Sequence, residues 1–74
     1  TQIDAKTKLQ EFSLKKFKQL PTYKIISNTG PRHKPLFKVA VKLFDTKFFT
    51  ADGKSKKDAE QNAAIKCLEN IEKI

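Results

Sequence analysis

The clearest pattern in this chain is a run of alternating apolar and polar residues. From Phe37 to Phe44 the sequence reads FKVAVKLF, so that large apolar residues occupy positions 37, 39, 41 and 43 and lysine or alanine occupies positions 38, 40 and 42. Successive side chains of a β-strand point to opposite faces, so this run predicts a strand with one buried and one solvated face. Two further strands are predicted at Thr22–Asn28, with Tyr23 and Ile25 on one face, and at Lys47–Asp52, which follows a short hairpin connection at Asp45 and Thr46.

Two segments with helical spacing flank the strands. The first is predicted to begin after Asp4, a favoured N-cap residue, and to end near Gln19, because the residue before Pro21 avoids helical geometry. The second is predicted from about Lys56 to Lys73, with small residues near its beginning that allow close approach to the sheet. The predicted buried positions are Ala5, Leu9, Phe12 and Leu20 in the first helix, and Ala59, Ala63, Ala64, Cys67, Leu68, Ile71 and Ile74 in the second; Leu14, Phe17 and Ile65 lie off these stripes, and Lys16 falls on one.

The order helix–strand–strand–strand–helix predicts an α+β fold, in which two helices pack on one face of a three-stranded antiparallel sheet. A chain of 74 residues is enough for one domain with a small core. We expect this domain to comprise residues 4–74 and residues 1–3 to be a linker remnant. The chain contains no methionine, so we expect it to be a domain of a longer protein.

The charge balance narrows the class of partner. Sixteen Lys and Arg residues against eight Asp and Glu residues give a net charge of +8, which costs self-repulsion in so small a domain. An anionic partner is therefore expected, either a nucleic acid or an acidic membrane surface. No apolar run approaches the ~18 residues of a spanning helix. The single cysteine, Cys67, is predicted to be a small core residue; it cannot form an internal disulfide and suits a reducing compartment, so we expect a cytoplasmic location.

The segment from Gly53 to Glu60 is the most unusual part of the sequence. It reads GKSKKDAE, which places a favoured N-cap residue, Ser55, and three lysines at the predicted beginning of the second helix. A helix N-terminus carries about +0.5 of an elementary charge, so lysines there oppose folding unless an anion occupies the site. The segment therefore predicts phosphate binding by Lys54, Ser55, Lys56 and Lys57. The alternative is a solvated lysine cluster.

A second group of polar residues lies on the first helix. Thr7, Gln10 and Glu11 are spaced i, i+3 and i+4, which places them on one face, away from the apolar stripe. A carboxylate and an amide do not anchor phosphate, but they can hydrogen-bond the 2′-hydroxyls and base edges of a shallow RNA minor groove. The alternative is an ordinary solvated face.

The loop from Gly30 to Pro35 forms the third group. It holds the only histidine, His33, between Arg32 and Lys34, and its two prolines reduce the entropy that the loop would lose on binding. No second histidine and no nearby carboxylate accompany His33, which argues against a metal ligand or catalytic base. We therefore expect His33 to be a groove-contacting donor and Gly30-Pro31 to form a turn, with a purely structural loop as the alternative. No catalytic constellation is found in the sequence.

Four separated segments, in order, resemble the double-stranded RNA-binding domain, most closely that of the C-terminal region of bacterial ribonuclease III. They are KTKLQE at 6–11, LPTY at 20–23, GPRHKPLF at 30–37 and GKSKKDAEQNAA at 53–64. Such domains cover ~16 base pairs and read the shape of the duplex more than its sequence. By this resemblance, one minor groove is contacted by Thr7, Gln10 and Glu11; a second by Gly30, Pro31 and His33, with Arg32 or Lys34 near phosphate; and the major-groove phosphates between them by Lys54, Ser55, Lys56 and Lys57.

The resemblance also implies what surrounds this domain. The parent protein would be an endoribonuclease that cleaves RNA duplexes with magnesium in a separate catalytic domain and forms a homodimer through that domain. This chain itself would contain no catalytic residues, cofactor or metal site and would bind no membrane or small-molecule substrate. One residue departs from the family pattern: Leu14 stands where a glutamine is frequent, which implies a weaker or less selective contact by the first helix.

Two rival classes remain open from the sequence. A peripheral membrane module would need more exposed apolar bulk on a helix than Leu14, Phe17 and Ile65 supply. The other is a domain of the same fold from another RNA-processing protein, or one that binds proteins in place of RNA. The presence of His33 and of the lysines at positions 54, 56 and 57 argues against the protein-binding form.

Overall fold

The computed structural model describes residues 4–71 and confirms the predicted α+β order. Its elements are α1 (Ala5–Phe17), β1 (Thr22–Thr29), β2 (Leu36–Lys42), β3 (Phe49–Gly53) and α2 (Lys56–Ile71). The strands form one antiparallel sheet in the order β1-β2-β3. The expected linker remnant at residues 1–3 and the predicted end of α2, including Ile74, lie outside the described residues.

The core lies between α2 and the helix-facing side of the sheet. Its largest fully buried apolar side chains are those of Leu9, Leu43, Val39 and Val41, and α2 contributes four small residues and Leu68. Ala59, Ala63, Ala64 and Cys67 are all fully buried, and Ile71 packs against the cluster. Ile65 is exposed, as its place opposite the stripe predicts. The full burial of Cys67 confirms its assignment to the core, and this burial raises the pKa of its thiol to about 11.

The helix α1 is shorter than predicted, and this changes its buried face. It ends at Phe17 because Lys18 adopts a left-handed conformation, with φ 59°, and donates its backbone N–H to the carbonyl of Leu14. Leu20 therefore lies beyond the helix and is 59% exposed, so its predicted place in the core is wrong. Ser13 takes a core position, and its hydroxyl donates a hydrogen bond to the carbonyl of Gln19, which satisfies the buried polar group.

Two further residues of α1 differ from the predicted apolar stripe. Phe17, which the spacing placed off the stripe, packs against the core together with Phe12. Lys16, which fell on the stripe, is exposed, and its ammonium lies 5.6 Å from the centroid of each of these two rings. The charged end of the lysine thus remains in solvent while the chain covers aromatic surface.

Three details of the sheet correct the predicted strands. The strand β2 ends at Lys42 and β3 begins at Phe49, so the connection between them is longer than the predicted hairpin at residues 45–46. A bulge between Ile25 and Ser27 interrupts β1, and Ile25 is 48% exposed although it was assigned to the same face as the core-packed Tyr23. Ala40, on the predicted solvated face, is buried; its cross-strand neighbours are Lys24 and Thr50.

The register of the sheet decides which connections lie together. Phe37 pairs with both Asn28 and Gly53, near the end of β1 and at the end of β3. The β1–β2 loop and the beginning of α2 therefore lie at the same end of the sheet, while the β2–β3 connection lies at the opposite end. Within residues 4–71, no helix is both long enough and apolar enough to cross a bilayer.

Candidate nucleic-acid interface

The beginning of α2 has the geometry of an anion-binding helix terminus. The hydroxyl of Ser55 accepts a hydrogen bond from the backbone N–H of Asp58 at 3.1 Å, and the Ser55 carbonyl accepts one from Ala59 at 2.9 Å, so the predicted N-cap is confirmed. The side chains of Lys54, Lys56 and Lys57 are exposed around this end. The positive end of the helix dipole and the lysine charges therefore point into the same region of solvent.

The position of this helix end depends on Gly53, the last residue of β3. A Cβ atom at this position would lie 2.3 Å from the backbone nitrogen of Ala59 and 2.7 Å from its Cα. These atoms belong to the backbone of α2 and cannot move aside as a flexible side chain would. Glycine therefore allows β3 to pass directly into the lysine-bearing segment with α2 packed against the strand.

The β1–β2 loop forms a tight turn whose central residues are exposed. The backbone N–H of Lys34 donates to the carbonyl of Pro31 at 2.9 Å, so the closed turn spans Pro31–Lys34, one residue after the predicted Gly30-Pro31 position. Gly30 precedes the turn with φ 93°, a conformation that favours glycine, and a Cβ there would lie 2.5 Å from the carbonyl oxygen of Lys34. Arg32 and His33 occupy the tip.

The polar face of α1 is exposed where the sequence predicts it. Thr7, Gln10 and Glu11 all have exposed side chains. A shallow groove is lined by Thr7 and Glu11 together with Asp4 and Lys8, two residues that the sequence analysis did not assign to the site. Lys8 adds a cation to the groove. Asp4 lies four positions before Lys8 and Glu11 three positions after it, so helical spacing could have indicated from the sequence that the three residues share one face.

Side chains of α2 fix the first turn of α1. Asp4 is the N-cap, and its Oδ1 accepts from the backbone N–H groups of Lys6 at 3.0 Å and Thr7 at 3.4 Å. Gln61 of α2 donates its Nε2 to the same carboxylate oxygen and accepts from the backbone N–H of Ala5 at 3.0 Å. The hydrogen bond from Gln61 is the main reason that the pKa of the Asp4 carboxyl lies below its usual range.

A second contact between the helices lies beside the first. The Nζ of Lys6 is 2.7 Å from Oε1 of Glu60, and it also lies 5.4 Å from the centroid of the Tyr23 ring. Burial, followed by the negative charge of Glu60, raises the pKa of Tyr23 to about 12. Within residues 4–71 the buried Tyr23 hydroxyl has no hydrogen-bond partner. Sequence reasoning missed Gln61 and Glu60, because their partners lie more than fifty positions away along the chain.

The three predicted groups thus occupy related positions. The turn at Pro31–Lys34 and the lysines beginning α2 share one end of the sheet, and α1 is joined at its N-terminus to the second turn of α2. Within the described part of the chain, no group of three His, Cys, Asp or Glu side chains could hold a metal ion. The arrangement offers separated polar and cationic contacts rather than an enclosed cavity.

Comparisons with known proteins agree with this architecture. The sequence model of a family described as "Double-stranded RNA binding motif" matches residues 5–71. The chain is 82% identical over 71 residues to Ribonuclease 3 of Pelagibacter ubique, covering 96% of this chain and 32% of that protein. It is 44% identical over 69 residues to Ribonuclease 3 of Myxococcus xanthus, covering 93% of this chain and 26% of that protein. The chain therefore spans a third or less of the length of these relatives.

Solved structures share the fold. The solution structure of both dsRBDs of DRB4 with their linker superposes with a TM-score of 0.73 at 34% identity, covering 97% of this chain and 46% of that chain. The structure of the second DRB4 dsRBD alone gives a TM-score of 0.67 at 35% identity, covering 95% of this chain and 97% of that chain.

Proposed function

Because this chain belongs to the double-stranded RNA binding motif family, we propose that it binds duplex RNA through the three groups of residues described above. The observation that carries the proposal is the register that brings the Pro31–Lys34 turn and the lysines of α2 to one end of the sheet. The polar face of α1 is a third, separate group. Three groups held in fixed relative positions can measure the spacing of grooves along a duplex, which isolated surface lysines cannot do.

Each group has a chemistry suited to one part of an A-form helix. The amide of Gln10, the carboxylate of Glu11 and the hydroxyl of Thr7 can hydrogen-bond 2′-hydroxyls and base edges in one minor groove. Gly30, Pro31 and His33 enter the next minor groove, with Arg32 and Lys34 near phosphate. Between them, the major-groove phosphates are bound by Lys54, Ser55, Lys56 and Lys57 at the N-terminus of α2.

The proposal extends to the parent protein. The identity of 82% to a ribonuclease 3 supports the view that this chain, with its domain at residues 4–74, is the RNA-binding domain of a cytoplasmic ribonuclease III. The chain would place duplex RNA for cleavage by a separate, magnesium-dependent catalytic domain, which would also form the homodimer. In this arrangement the chain described here binds RNA and performs no chemistry.

The test is a competition between duplexes at fixed salt. A fluorescent RNA duplex of about 20 base pairs, longer than the ~16 that such domains cover, is displaced by unlabelled RNA or DNA of the same length and sequence. RNA should compete more strongly, because the A-form groove geometry and the 2′-hydroxyls are absent from B-form DNA. Equal competition would leave only charge and contradict the proposal. Flotation with anionic vesicles, in parallel, tests the rival membrane function.

A further inference from the structure

We propose that Gln61 is a positioning residue for RNA recognition: it fixes α1 against α2, so that the groove-reading face of α1 and the lysines of α2 contact the same duplex. The proposal rests on the proposed function and adds a residue that contacts no RNA itself. Its basis is the pair of hydrogen bonds from one side chain of α2 to two consecutive residues at the beginning of α1.

Both polar atoms of the Gln61 side chain form hydrogen bonds to the beginning of α1. Its Nε2 donates to Oδ1 of Asp4, and its Oε1 accepts from the backbone N–H of Ala5 at 3.0 Å. The first four N–H groups of a helix have no partner within the helix. Within residues 4–71, the N–H groups of Lys6, Thr7 and Lys8 are satisfied by the carboxylate or the carbonyl of Asp4, and the N–H group of Ala5 is satisfied only by Gln61.

This contact decides the orientation of α1 because α1 packs mainly against α2 rather than against the strands. Consecutive helical residues are separated by a rotation of about 100°. A side chain that binds residues 4 and 5 together therefore specifies both the distance of α1 from α2 and its rotation about its own axis. Thr7 belongs to this fixed first turn, and Gln10 and Glu11, one to two turns further along, take their direction from it.

The neighbouring ion pair is less able to fix this orientation. Lys6 and Glu60 meet at 2.7 Å, but their side chains are 36% and 16% exposed, and lysine reaches its partner through a flexible four-carbon stem. Such a pair attracts the helices while permitting rotation. The backbone N–H of Ala5, by contrast, belongs to a residue that is only 5% exposed, and it loses its partner if Gln61 is truncated.

A double-mutant cycle measures the positioning role. In the native background, Glu11→Ala should weaken RNA binding about fivefold, the factor that corresponds to ~1 kcal/mol. In the Gln61→Ala background, the additional cost of Glu11→Ala should fall below about twofold, because Glu11 no longer faces the groove. The cost of Lys57→Ala should be the same in both backgrounds, since Lys57 lies on α2 itself. Circular dichroism establishes that each variant is folded at the temperature of measurement.

The control is Asn62→Ala. Asn62 also joins α2 to another element, through its Nδ2 and the carbonyl of Asp52 at 2.8 Å, but that element is β3. Removing this bond should leave the full cost of Glu11→Ala in place. A general loosening of α2 would reduce the Glu11 effect in both the Asn62→Ala and the Gln61→Ala backgrounds, and this outcome would overturn the specific role of Gln61.

Exchanging the amide at position 61 and the carboxylate at position 4 provides a second test, which does not depend on truncating a side chain. Gln61→Glu keeps the acceptor for the Ala5 N–H but sets a carboxylate against Asp4, so RNA affinity should fall. Adding Asp4→Asn removes the repulsion between the two carboxylates and keeps a favoured N-cap residue whose Oδ1 accepts from the first backbone N–H groups of α1, so affinity should recover in part. No recovery would contradict the proposal.

The outcomes separate this inference from the proposed function. If Glu11→Ala weakens RNA binding equally in the native and Gln61→Ala backgrounds, the groove contact stands and the positioning role is overturned. If Glu11→Ala has no effect in either background, the groove contact of the proposed function fails, and the positioning role fails with it.

Discussion

Gly53 and Ala59 approach so closely that a single methyl group cannot be placed between them: a Cβ on Gly53 would lie 2.3 Å from the backbone nitrogen of Ala59. The contact joins the end of β3 to the first turn of α2. It explains why a glycine immediately precedes the lysine cluster, and it connects the packing of the core with the position of the candidate phosphate-binding helix end.

Gly53→Ala should therefore destabilise the fold. Overpacking against backbone costs typically ~1–3 kcal/mol, which corresponds to a decrease in Tm of several degrees in a domain of this size. Thermal and urea unfolding measure the effect. Asp52→Ala, at an exposed neighbouring position in the same strand, serves as the control and should change stability little. A Gly53→Ala variant of native stability would show that the helix can shift away from the strand without cost.

Replacement of Lys56 and Lys57 by alanine should weaken binding to every RNA duplex alike. Each lost phosphate contact should reduce the slope of log affinity against log salt by ~1. The matched control uses single variants. Lys57→Ala is compared with Lys47→Ala, which removes the same charge at the opposite end of the sheet. Titrations at several salt concentrations give the slopes. Equal slopes for these two single variants would identify the α2 lysines as a solvated cluster.

Glu11→Ala distinguishes groove contact from simple charge attraction. It raises the net charge from +8 to +9, so a purely electrostatic ligand of RNA would bind more tightly. If Glu11 accepts a hydrogen bond from a 2′-hydroxyl, its loss should cost roughly 1 kcal/mol or more, and the cost should be larger for RNA than for DNA. Glu69→Ala, an exposed acid near the end of α2, is the charge-matched control. Tighter RNA binding by Glu11→Ala would contradict the α1 assignment.

Tyr23→Phe should maintain or increase stability at neutral pH and change its dependence on alkaline pH. The Tyr23 hydroxyl is buried and has no partner within residues 4–71, so its removal leaves no donor unsatisfied. The pKa of Tyr23 is about 12 in the fold against 10.0 for the free side chain, so the unfolded chain releases this proton first and stability falls as pH rises from 10 to 12. Tyr23→Phe should lose this component.

Urea unfolding at pH 7 and at steps from pH 9 upward measures both effects. Cys67 contributes a separate alkaline component, since its pKa is also raised, to about 11 from 9.0. Cys67→Ala therefore serves as the comparison and should remove only the loss that begins near pH 9. Marked destabilisation of Tyr23→Phe at pH 7 would mean that the hydroxyl is hydrogen-bonded.

Asp4→Asn should reduce the dependence of stability on acidic pH. The pKa of Asp4 is lowered from 3.8, principally by the hydrogen bond from Gln61, so its contribution is present above the unfolded pKa and is lost as pH falls through the lower folded value. Unfolding is measured for the native chain and for Asp4→Asn at pH 5 and at steps below it, which gives the stability of each as a function of pH. Identical profiles would show that the Asp4 carboxylate adds nothing to the first turn of α1.

The local features of this protein could be predicted from its sequence. The alternation in Phe37–Phe44 predicted a strand with a helix-facing apolar side, and the serine at position 55 predicted the beginning of α2. These predictions succeed because strand pleating, helical spacing and N-capping depend on neighbours only a few positions apart. The candidate interface residues were found in the same way, since each group lies within one short segment.

Tertiary structure decided where α1 ends and what surrounds it. The helix pattern alone favoured Leu20 in the core, but the chain turns at Lys18, and Ser13 is buried in its place with its hydroxyl bonded to the backbone. The contact of Gln61 with Asp4 and Ala5 joins residues more than fifty positions apart. No local pattern encodes such a contact, because it forms only when α2 packs against the beginning of α1 and brings together residues that are distant in sequence.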